Sequence, residues 1–161
     1  MKVTIRRMEP ADTTRVLEII HSHEPYDADC AKRYYSEYFE RYGGGMPGHL
    51  NYVAVDTSGL VQGVCGYSPD KYETEGVLWL TWFYVSKEAQ GSLVGFRLYE
   101  RVLADVKTLN CRKLCLDTCN TEQYHRALKF YTKCGFSISG IIENYYGHGE
   151  HMMLMDIDYS A

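Results

Sequence analysis

The sequence predicts an α/β protein in which one mixed sheet carries helices on both faces. Its 161 residues suit a single domain over residues 1–161 with one hydrophobic core. Apolar residues recur at helical spacing in some segments, whereas other segments are rich in the β-branched and aromatic residues typical of strands. The predicted order is strand, helix, helix, three strands, helix, strand, helix and two strands, which places helices on both sides of a sheet.

The first half of the chain is predicted to contain three strands and two helices. Residues 3–7 alternate in polarity as a short strand does. Pro10 suits the first turn of a helix, and a second helix is predicted over residues 29–42. Strands over residues 51–56 and 60–67 flank a turn signal and are predicted to form a hairpin.

The second half is organised around residues 77–85, the most strand-like run in the chain. Its apolar character is nearly continuous, which predicts a central strand of the sheet. The elements after it are, in chain order, a helix over residues 90–109, a strand over 112–118, a helix from its cap at Asn120 to Cys134, and strands over 136–142 and 152–157.

The charge of the chain argues against nucleic acid and membrane partners. Lys and Arg number 17 against 21 Asp and Glu, which gives a net charge of −4 and no general attraction for polyanions. No stretch approaches the roughly 20 apolar residues that span a bilayer. The first residues contain no apolar run typical of a signal peptide, so the expected location is cytoplasmic.

The six cysteines are expected to be reduced in that compartment rather than joined in disulfides. Cys111, Cys115 and Cys119 recur at every fourth residue, without the two-residue gap that is usual between paired cysteines in zinc sites. We therefore expect no metal in this protein.

Tyrosine is the unusual feature of the composition, with 15 residues. A tyrosine buries a large apolar area and keeps a polar tip, so the favoured interpretation is core packing with the phenols reaching the surface. Two alternatives stay open. The tyrosines could line an aromatic pocket, or those of the helix over residues 29–42 could form a homodimer face.

The junction between the strand over residues 77–85 and the next helix indicates a phosphate site. The start of a helix presents unpaired N–H groups and partial positive charge, which suit a phosphate. Gly91 permits a close approach to the backbone, and Gly95 removes side-chain bulk one turn later. The spacing matches neither the loop that binds nucleoside triphosphates nor the dinucleotide fingerprint.

A second motif lies near the C-terminal end of the chain. Ala127, Tyr131 four residues later, and Gly135-Phe136 at the start of a strand resemble a signature of the GNAT superfamily of acyl-CoA-dependent N-acyltransferases. In that signature a helix carries the alanine and the tyrosine, which agrees with the element predicted here.

The other signature of the family is a pyrophosphate loop of the form Gln/Arg-x-x-Gly-x-Gly/Ala after a central strand. Gln90, Gly91 and Gly95 are similar to it, and residues 144–147 before a last strand with Met155 also look like family members. The resemblance covers essentially the whole chain. Two motifs at the expected separation are more specific than either motif alone.

The resemblance implies a GNAT domain with about seven strands in a mostly antiparallel central sheet and four helices. It implies an N-acetyltransferase that moves the acetyl group of acetyl-CoA (coenzyme A) to a primary amine of a small molecule or peptide by direct attack. The residues expected to bind acetyl-CoA are Phe83, Tyr84, Val85, Gln90, Gly91, Ser92, Leu93, Val94, Gly95 and Tyr131.

The same resemblance makes Tyr131 the expected catalytic acid that protonates the departing thiolate. A phenol with a pKa of about 10 is protonated at neutral pH and can donate its proton. The alternative is a core tyrosine on the apolar face of its helix. The backbone N–H groups of residues 83–85 are expected to polarise the thioester carbonyl, provided that the strand bulges and splays from its neighbour as in the family.

Three departures from the family pattern keep a second function open. Leu93 replaces the first glycine of the loop, and Tyr124 stands where the family often has asparagine. Trp79 occupies the position of the glutamate base found in members that acylate histone lysines. These departures motivate the alternative of a non-catalytic module that binds or senses acetyl-CoA.

The sequence does not identify the general base or the acceptor. By residue type alone, the candidate bases are Glu24, Glu73, Glu75, His125 and Glu143. By family analogy, the acceptor pocket is expected between the first two helices, the loop over residues 68–76 and the last hairpin. The residues of these segments that suit a cationic amine are Asp27, Asp29, Tyr34, Tyr35, Tyr38, Tyr42, Asp70, Tyr72, Glu143, Tyr145 and Tyr146.

Overall fold

The structure is a computed structural model that describes residues 1–160. Its strands are β1 (Val3–Arg7), β2 (Leu50–Asp56), β3 (Val61–Pro69), β4 (Val77–Val85), β5 (Lys113–Cys119), β6 (Ser137–Gly147) and β7 (Glu150–Asp158). Its α-helices are α1 (Thr13–His23), α2 (Pro25–Tyr42), α3 (Val94–Thr108) and α4 (His125–Lys133). The predicted order of strands and helices is confirmed.

The strands form one seven-stranded sheet in the order β1-β2-β3-β4-β5-β7-β6. Every neighbouring pair is antiparallel except β4 and β5, which run parallel. The parallel pair is joined by α3, as a crossover connection requires. The prediction of a mixed, mostly antiparallel sheet is therefore confirmed.

The helices lie on both faces of the sheet, and each face has its own core. On one face, Ile20 of α1 and Tyr35 of α2 pack with Val64 of β3. On the other face, Leu98 of α3 and Tyr131 of α4 belong to a cluster with buried apolar residues of β2 to β5 whose side chains point to that face. Side chains on one face of the sheet therefore contact α1 and α2, and those on the other face contact α3 and α4.

The tyrosines of α2 serve the first of these cores. Tyr35 and Tyr38 are 0% and 1% exposed and pack against the sheet. The interpretation that favoured core packing is therefore correct for both residues, and neither side chain is available to a homodimer face.

The strands β4 and β5 part along their length. They pair only from Val77 to Trp79 on β4, opposite Lys113 to Cys115 on β5. Beyond these residues β4 carries an irregularity in its pairing with β3, and Trp82 adopts a φ of +43°. A bulge bends its strand and increases the local twist. The two strands consequently leave an opening in the middle of the sheet.

Two predicted helix starts differ from the observed ones. The helix predicted from residue 90 begins at Val94, because Gln90 is extended and Gly91 has a φ of +78°, which interrupts a right-handed helix. The helix predicted from residue 29 begins four residues earlier at Pro25. Proline suits this first position, and the carboxylate of Glu24 accepts a hydrogen bond from the N–H of Tyr26.

The prediction that Asn120 caps α4 is wrong. The side-chain amide of Asn120 donates to the carbonyl of Gly149, and its oxygen accepts from the N–H of His151 at 2.6 Å. The residue therefore connects the end of β5 to the turn between β6 and β7. An asparagine side chain can serve either purpose, and only the tertiary neighbours decide between them.

None of the helices within residues 1–160 is both long and apolar enough to cross a membrane. All six cysteines have free thiols.

The close contact of β2 with β3 at Gly66 yields a prediction about stability. A Cβ atom on Gly66 would overlap the side-chain oxygen of Asn51 and lie 2.9 Å from the carbonyl oxygen of Leu50. We expect Gly66→Ala to lower the free energy of unfolding by about 3 kcal/mol, since overpacking here moves backbone. Urea denaturation followed by circular dichroism measures this difference.

The matched control is Gly140→Ala, because a Cβ atom there would meet Leu154 at an ordinary 3.5 Å. We expect this substitution to change the free energy of unfolding by less than about 1 kcal/mol. Equal losses in the two variants would show that the contact of Gly66 is not a constraint on the sheet.

Candidate functional site

The candidate site lies where β4 and β5 diverge. The end of β4, the loop over residues 86–93, the first turn of α3 and the first half of α4 surround this opening on one face of the sheet. The N-terminal part of α2 borders it on the other face. Because pairing with β5 stops after Trp79, the later amides of β4 that point towards β5 have no strand partner.

The loop after β4 is fixed by buried polar contacts. The hydroxyl of Ser86 donates to the side-chain oxygen of Gln62 at 2.6 Å and accepts from the N–H of Ala89 at 3.2 Å. Ser86 and Ala89 are 2% and 1% exposed. The loop is therefore anchored to β3 independently of any ligand, and Gly91 at its tip has the positive φ that glycine adopts without strain.

Unpaired backbone amides gather at the start of α3. Among the described residues, the N–H groups of Gly91, Leu93, Gly95 and Phe96 have no hydrogen-bond acceptor. The N–H of Val94 has only a 3.4 Å contact with the hydroxyl of Ser92. Such a group of donors at the positive end of a helix fits a diphosphate well. The residues present thus suit the phosphates of coenzyme A.

The departure at Leu93 does not obstruct these amides. Its side chain is 70% exposed, and its φ of −81° is ordinary for any residue, so the fold does not require glycine there. At Gly95, an added Cβ atom would come no closer than 3.5 Å to the protein. The packing of the protein therefore leaves room beside the first turn of α3.

A cationic side chain reaches this loop from α4. Arg126 donates from Nη1 to Oε1 of Gln90 at 2.7 Å. This bond joins the two sides of the groove between the loop and α4. The structure thereby brings Gln90 to the positively charged start of α4, as well as to the amides of α3.

Tyr131 lies in the wall of the opening, on α4. Its ring packs among aromatic rings at centroid distances of 6.2 Å from Phe83 and 5.9 Å from both Phe130 and Phe136. Burial raises the pKa of its phenol, and the negative charge of Asp117 raises it further. Tyr131 is 9% exposed, and its hydroxyl forms no hydrogen bond with the residues described, 1–160. It is therefore a protonated donor without an acceptor.

The three predicted residues at the end of β4 point to different sides of the sheet. Phe83 packs with the α3 and α4 core, next to Tyr131, whereas Tyr84 packs with the α1 and α2 core. The carbonyl of Val85 lies 2.9 Å from Nε2 of His23. Only Phe83 therefore brings its side chain to Tyr131, while Tyr84 contributes to the opposite side of the opening.

That opposite side is acidic. The phenols of Tyr84 and Tyr124 both donate to Oδ2 of Asp27 on α2, the latter at 3.3 Å. On β5, Oδ2 of Asp117 accepts from the phenol of Tyr146 at 3.3 Å. Enclosure by the protein raises the pKa of Asp117, the charge of Asp27 adds to this effect, and the hydrogen bond from Tyr146 opposes it. The two carboxylates therefore repel each other, and solvent screens this repulsion because Asp117 is exposed.

Several candidates from the sequence lie elsewhere. Glu73 and Glu75 are exposed on the loop that enters β4 at Val77, which is about 26 Å of extended strand away from Val85. The loop over residues 68–76 therefore does not approach the phosphate-binding end of β4. His125 is exposed, and its ring bonds the carbonyl of Asn120.

Sequence reasoning missed Asp117. The signal available was its occurrence within the otherwise apolar strand Leu114-Cys115-Leu116, where aspartate is a poor strand former. The sequence does not show that its carboxylate faces Asp27, because that depends on the register of β5 and on the position of α2.

Neither the cavity outside this opening nor a group of metal-ligating side chains offers a second site in the described residues 1–160. A cavity of about 250 Å³ is lined by Arg7, Leu50, Tyr67 and Asp105, at the end of the sheet away from the loop over residues 86–93. The carboxylate of Asp105 is already bonded there by two phenols and by Arg101. Within residues 1–160, no three His, Cys, Asp or Glu side chains converge as metal ligands.

Comparison with known proteins places these features in a family. The model of the Acetyltransferase (GNAT) family matches residues 14–136, which is well over half of the 161 residues. No curated protein matches the sequence.

Solved structures of similar proteins agree with this match. A protein from Desulfovibrio desulfuricans described as belonging to the GNAT family of acetyltransferases is 26% identical, with 99% of this chain and 100% of that chain covered and a TM-score of 0.87.

Two further structures share the fold at lower identity. A phosphinothricin acetyltransferase from Sinorhizobium meliloti in complex with acetyl-CoA is 20% identical, with coverage of 98% and 89% and a TM-score of 0.75. An aminoglycoside 6′-N-acetyltransferase complexed with coenzyme A is 16% identical, with coverage of 98% of both chains and a TM-score of 0.74.

The raised pKa of Asp117 predicts the effect of pH on stability. The folded state binds the proton of Asp117 more tightly than the unfolded state does. The contribution of Asp117 to the free energy of unfolding therefore falls as pH rises from about 4 through the folded pKa. We expect Asp117→Asn to be more stable than the wild type at pH 7, with the difference vanishing below about pH 4. Thermal unfolding of both proteins between about pH 3.5 and 7.5 measures this difference in stability.

The control is Asp12→Asn, for which the opposite sign is expected. Burial alone would raise the pKa of Asp12, but hydrogen bonds from Arg6 and from the N–H of Glu9 lower it. Its contribution to stability is therefore present at neutral pH and lost as pH falls through the folded pKa. This variant should be less stable at pH 7 by about 1–3 kcal/mol, and the same sign for both variants would contradict the assignment.

Proposed function

Because the chain belongs to the GNAT acetyltransferase family, we propose that it is an N-acetyltransferase that moves the acetyl group of acetyl-CoA to a primary amine of a small molecule or peptide. The observation that carries the proposal is the group of unpaired amides at residues 91–96, next to an opening that holds the unpartnered phenol of Tyr131. The amides suit a diphosphate, and the phenol suits a leaving group that departs with negative charge.

The cofactor would be held by the start of α3. The amides of Gly91, Leu93, Gly95 and Phe96 would bind its diphosphate, and the later part of β4 would supply amides along the opening. Two solved structures of the same fold contain acetyl-CoA or coenzyme A, which supports this assignment. When bound, acetyl-CoA supplies a thioester whose carbonyl is activated for direct attack by an amine.

Tyr131 is the proposed catalytic acid. Its raised pKa keeps the phenol protonated at neutral pH, so that it can donate to a developing thiolate. Its position among Phe83, Phe130 and Phe136 excludes water from the ring and fixes its orientation. A donor whose orientation is already fixed needs little reorganisation during the reaction.

Asp117 is the proposed acceptor of the proton that the amine loses. It is the carboxylate whose charge acts on Tyr131, and its raised pKa makes it a stronger base than an ordinary aspartate. Removing a proton from an amine of pKa about 10.4 at pH 7 costs roughly 4–5 kcal/mol. A carboxylate within reach of the amine gives that proton an acceptor as the amine attacks the thioester. Glu143, also considered from the sequence, is exposed on β6.

A second candidate function is a non-catalytic module of the same fold that binds acetyl-CoA. Its support is Tyr124, whose hydroxyl bonds Asp27 instead of offering the side-chain amide common in the family. Two further expectations, a cytoplasmic location and a homodimer, stay predictions.

The role of the amides predicts which parts of the cofactor matter. S-acetylpantetheine lacks the diphosphate together with the adenosine 3′-phosphate, whereas acetyl-dephospho-CoA keeps the diphosphate and the adenosine and lacks only the 3′-phosphate. We expect kcat/KM for S-acetylpantetheine to fall by about 100-fold or more relative to acetyl-CoA, because several charge-assisted hydrogen bonds are lost. Thiol release followed with an aromatic disulfide reagent measures all three, and similar values for acetyl-CoA and S-acetylpantetheine would refute diphosphate binding by the loop.

The role of Tyr131 predicts the effect of removing only its hydroxyl. We expect Tyr131→Phe to lower kcat by about 100-fold or more, because the thiolate then leaves without its proton donor. The dissociation constant of coenzyme A, measured by calorimetry, should change little. Full activity of the variant would exclude Tyr131 from the mechanism, and binding of acetyl-CoA without thiol release by the wild type across a broad amine panel would favour the non-catalytic module.

A further inference from the structure

The strand at one end of the sheet order, β6, is an edge strand that lacks the usual protection against pairing. It has 11 residues, and all of them except its two glycines are exposed. It contains no Lys, Arg or Pro, and Glu143 is its only charged residue. Within residues 1–160 no strand lies beyond it, so its outward backbone N–H and C=O groups have no ladder to join. Such an edge is a template for a further strand.

The opposite edge of the same sheet, β1, is protected. It has only five residues, and two of them are Arg6 and Arg7. The guanidinium of Arg97 donates from Nη1 to the carbonyl of Val3 at 3.0 Å, which covers the start of the strand. Short length, charge and a covering side chain are the devices by which proteins keep edges from pairing. The unprotected edge is therefore a particular property of β6.

Large apolar side chains are exposed on both faces of β6. Ile138 is 55% exposed and lies opposite Met155, which belongs to the core on the α3 and α4 face. Ile142 is 44% exposed and lies opposite Met152, whose side chain points to the other face. The remaining members of this group are Ile141, Tyr145 and Tyr146, which are 53%, 56% and 44% exposed. A partner strand laid along the edge would contact side chains on both faces, whereas a helix or a flat surface would cover only one.

The surface of the chain is larger than that of a typical monomer of its mass. Its accessible area is 9170 Å², whereas a monomeric protein of 18.6 kDa exposes roughly 8,250 Å². The excess of about 900 Å² is close to the roughly 800 Å² that each partner buries in a standard interface. The area therefore agrees with a partner of protein size.

We propose that β6 is a dimer interface, at which a second copy of this chain adds its own β6 antiparallel to the first about a twofold axis, so that the two sheets become continuous. A second copy brings a strand of the same composition, so that isoleucine packs against isoleucine and the outward backbone groups of both edges pair. This inference does not depend on the proposed function.

The shape of β6 limits where the two copies can pair. Its ladder with β7 is irregular between Ile142 and Gly147, and Asn144 has a φ of +54°. A regular partner strand can therefore run only along residues 137–142. A twofold axis near Gly140 keeps the two Glu143 carboxylates roughly 20 Å apart along the strands. Because this distance exceeds the screening length of about 8–10 Å, the charges hardly oppose association.

The first test is the mass of the wild type by sedimentation equilibrium. At micromolar concentration we expect twice the 18.6 kDa of the chain. A mass of 18.6 kDa at every concentration up to the limit of solubility would overturn the inference, and the apolar edge would then serve a different partner.

The second test places a charge on the proposed interface. We expect Ile141→Lys to raise the dissociation constant of the dimer by about 100-fold or more, because the twofold axis applies the lost burial and the new charge twice. The matched control is Leu60→Lys, which changes an exposed apolar residue (44% exposed) in the turn between β2 and β3 and should leave the dimer intact. An Ile141→Lys protein that dimerises as tightly as the wild type would overturn the inference.

A third measurement needs no variant and stays decisive if Ile141→Lys does not fold. Hydrogen exchange of the wild type is compared above and below the concentration at which the dimer dissociates. We expect alternate amides of residues 137–142 to exchange about tenfold or more slowly in the dimer, while those of β1 exchange equally in both states. Equal exchange of residues 137–142 in both states would place the interface elsewhere and overturn the inference. A dimer without acetyltransferase activity would contradict only the proposed function, and an active monomer only the inference.

Discussion

The divergence of β4 and β5 is the constraint on which the rest of the structure depends. Two parallel strands in a sheet normally satisfy each other's backbone along their whole length, and leaving them unpaired in an interior is costly. Here pairing ends at Trp79 and Cys115, and the bulge at Trp82 turns the following residues of β4. The side chains of Phe83 and Tyr131 then pack at the opening from the α4 side. Every group to which we assign a function borders this opening.

The opening separates two environments of opposite charge. On the side of α3 and α4 lie free amides and Arg126, which favour an anionic ligand. On the side of α2 lie Asp27 and Asp117, which favour a cation. Because β4 and β5 diverge between these two sides, a ligand bound on one side could contact a ligand bound on the other at the opening. The architecture therefore suits a reaction between an anionic donor and a cationic acceptor.

Local patterns in the sequence predicted most of the fold. The apolar run at residues 77–85 and the motif around Tyr131 depend on near neighbours in the chain, and the elements they predicted are present. Features that depend on distant residues could not be predicted. The partner of Asn120 is a turn about thirty residues later, and the importance of Asp117 follows from the register of β5 and the position of α2. For the same reason residue type alone makes Glu73 and Glu75 candidate bases, although the sheet places them far from the phosphate-binding end of β4.

The burial of Ser86 has a consequence for the speed of ligand capture. Its contacts with Gln62 and Ala89 hold the loop in one conformation before any ligand arrives. Binding then requires no ordering of this segment, and little conformational entropy is lost at the phosphate end. Association of the donor would consequently be governed by diffusion and by attraction to the amides, rather than by a slow rearrangement of the polypeptide.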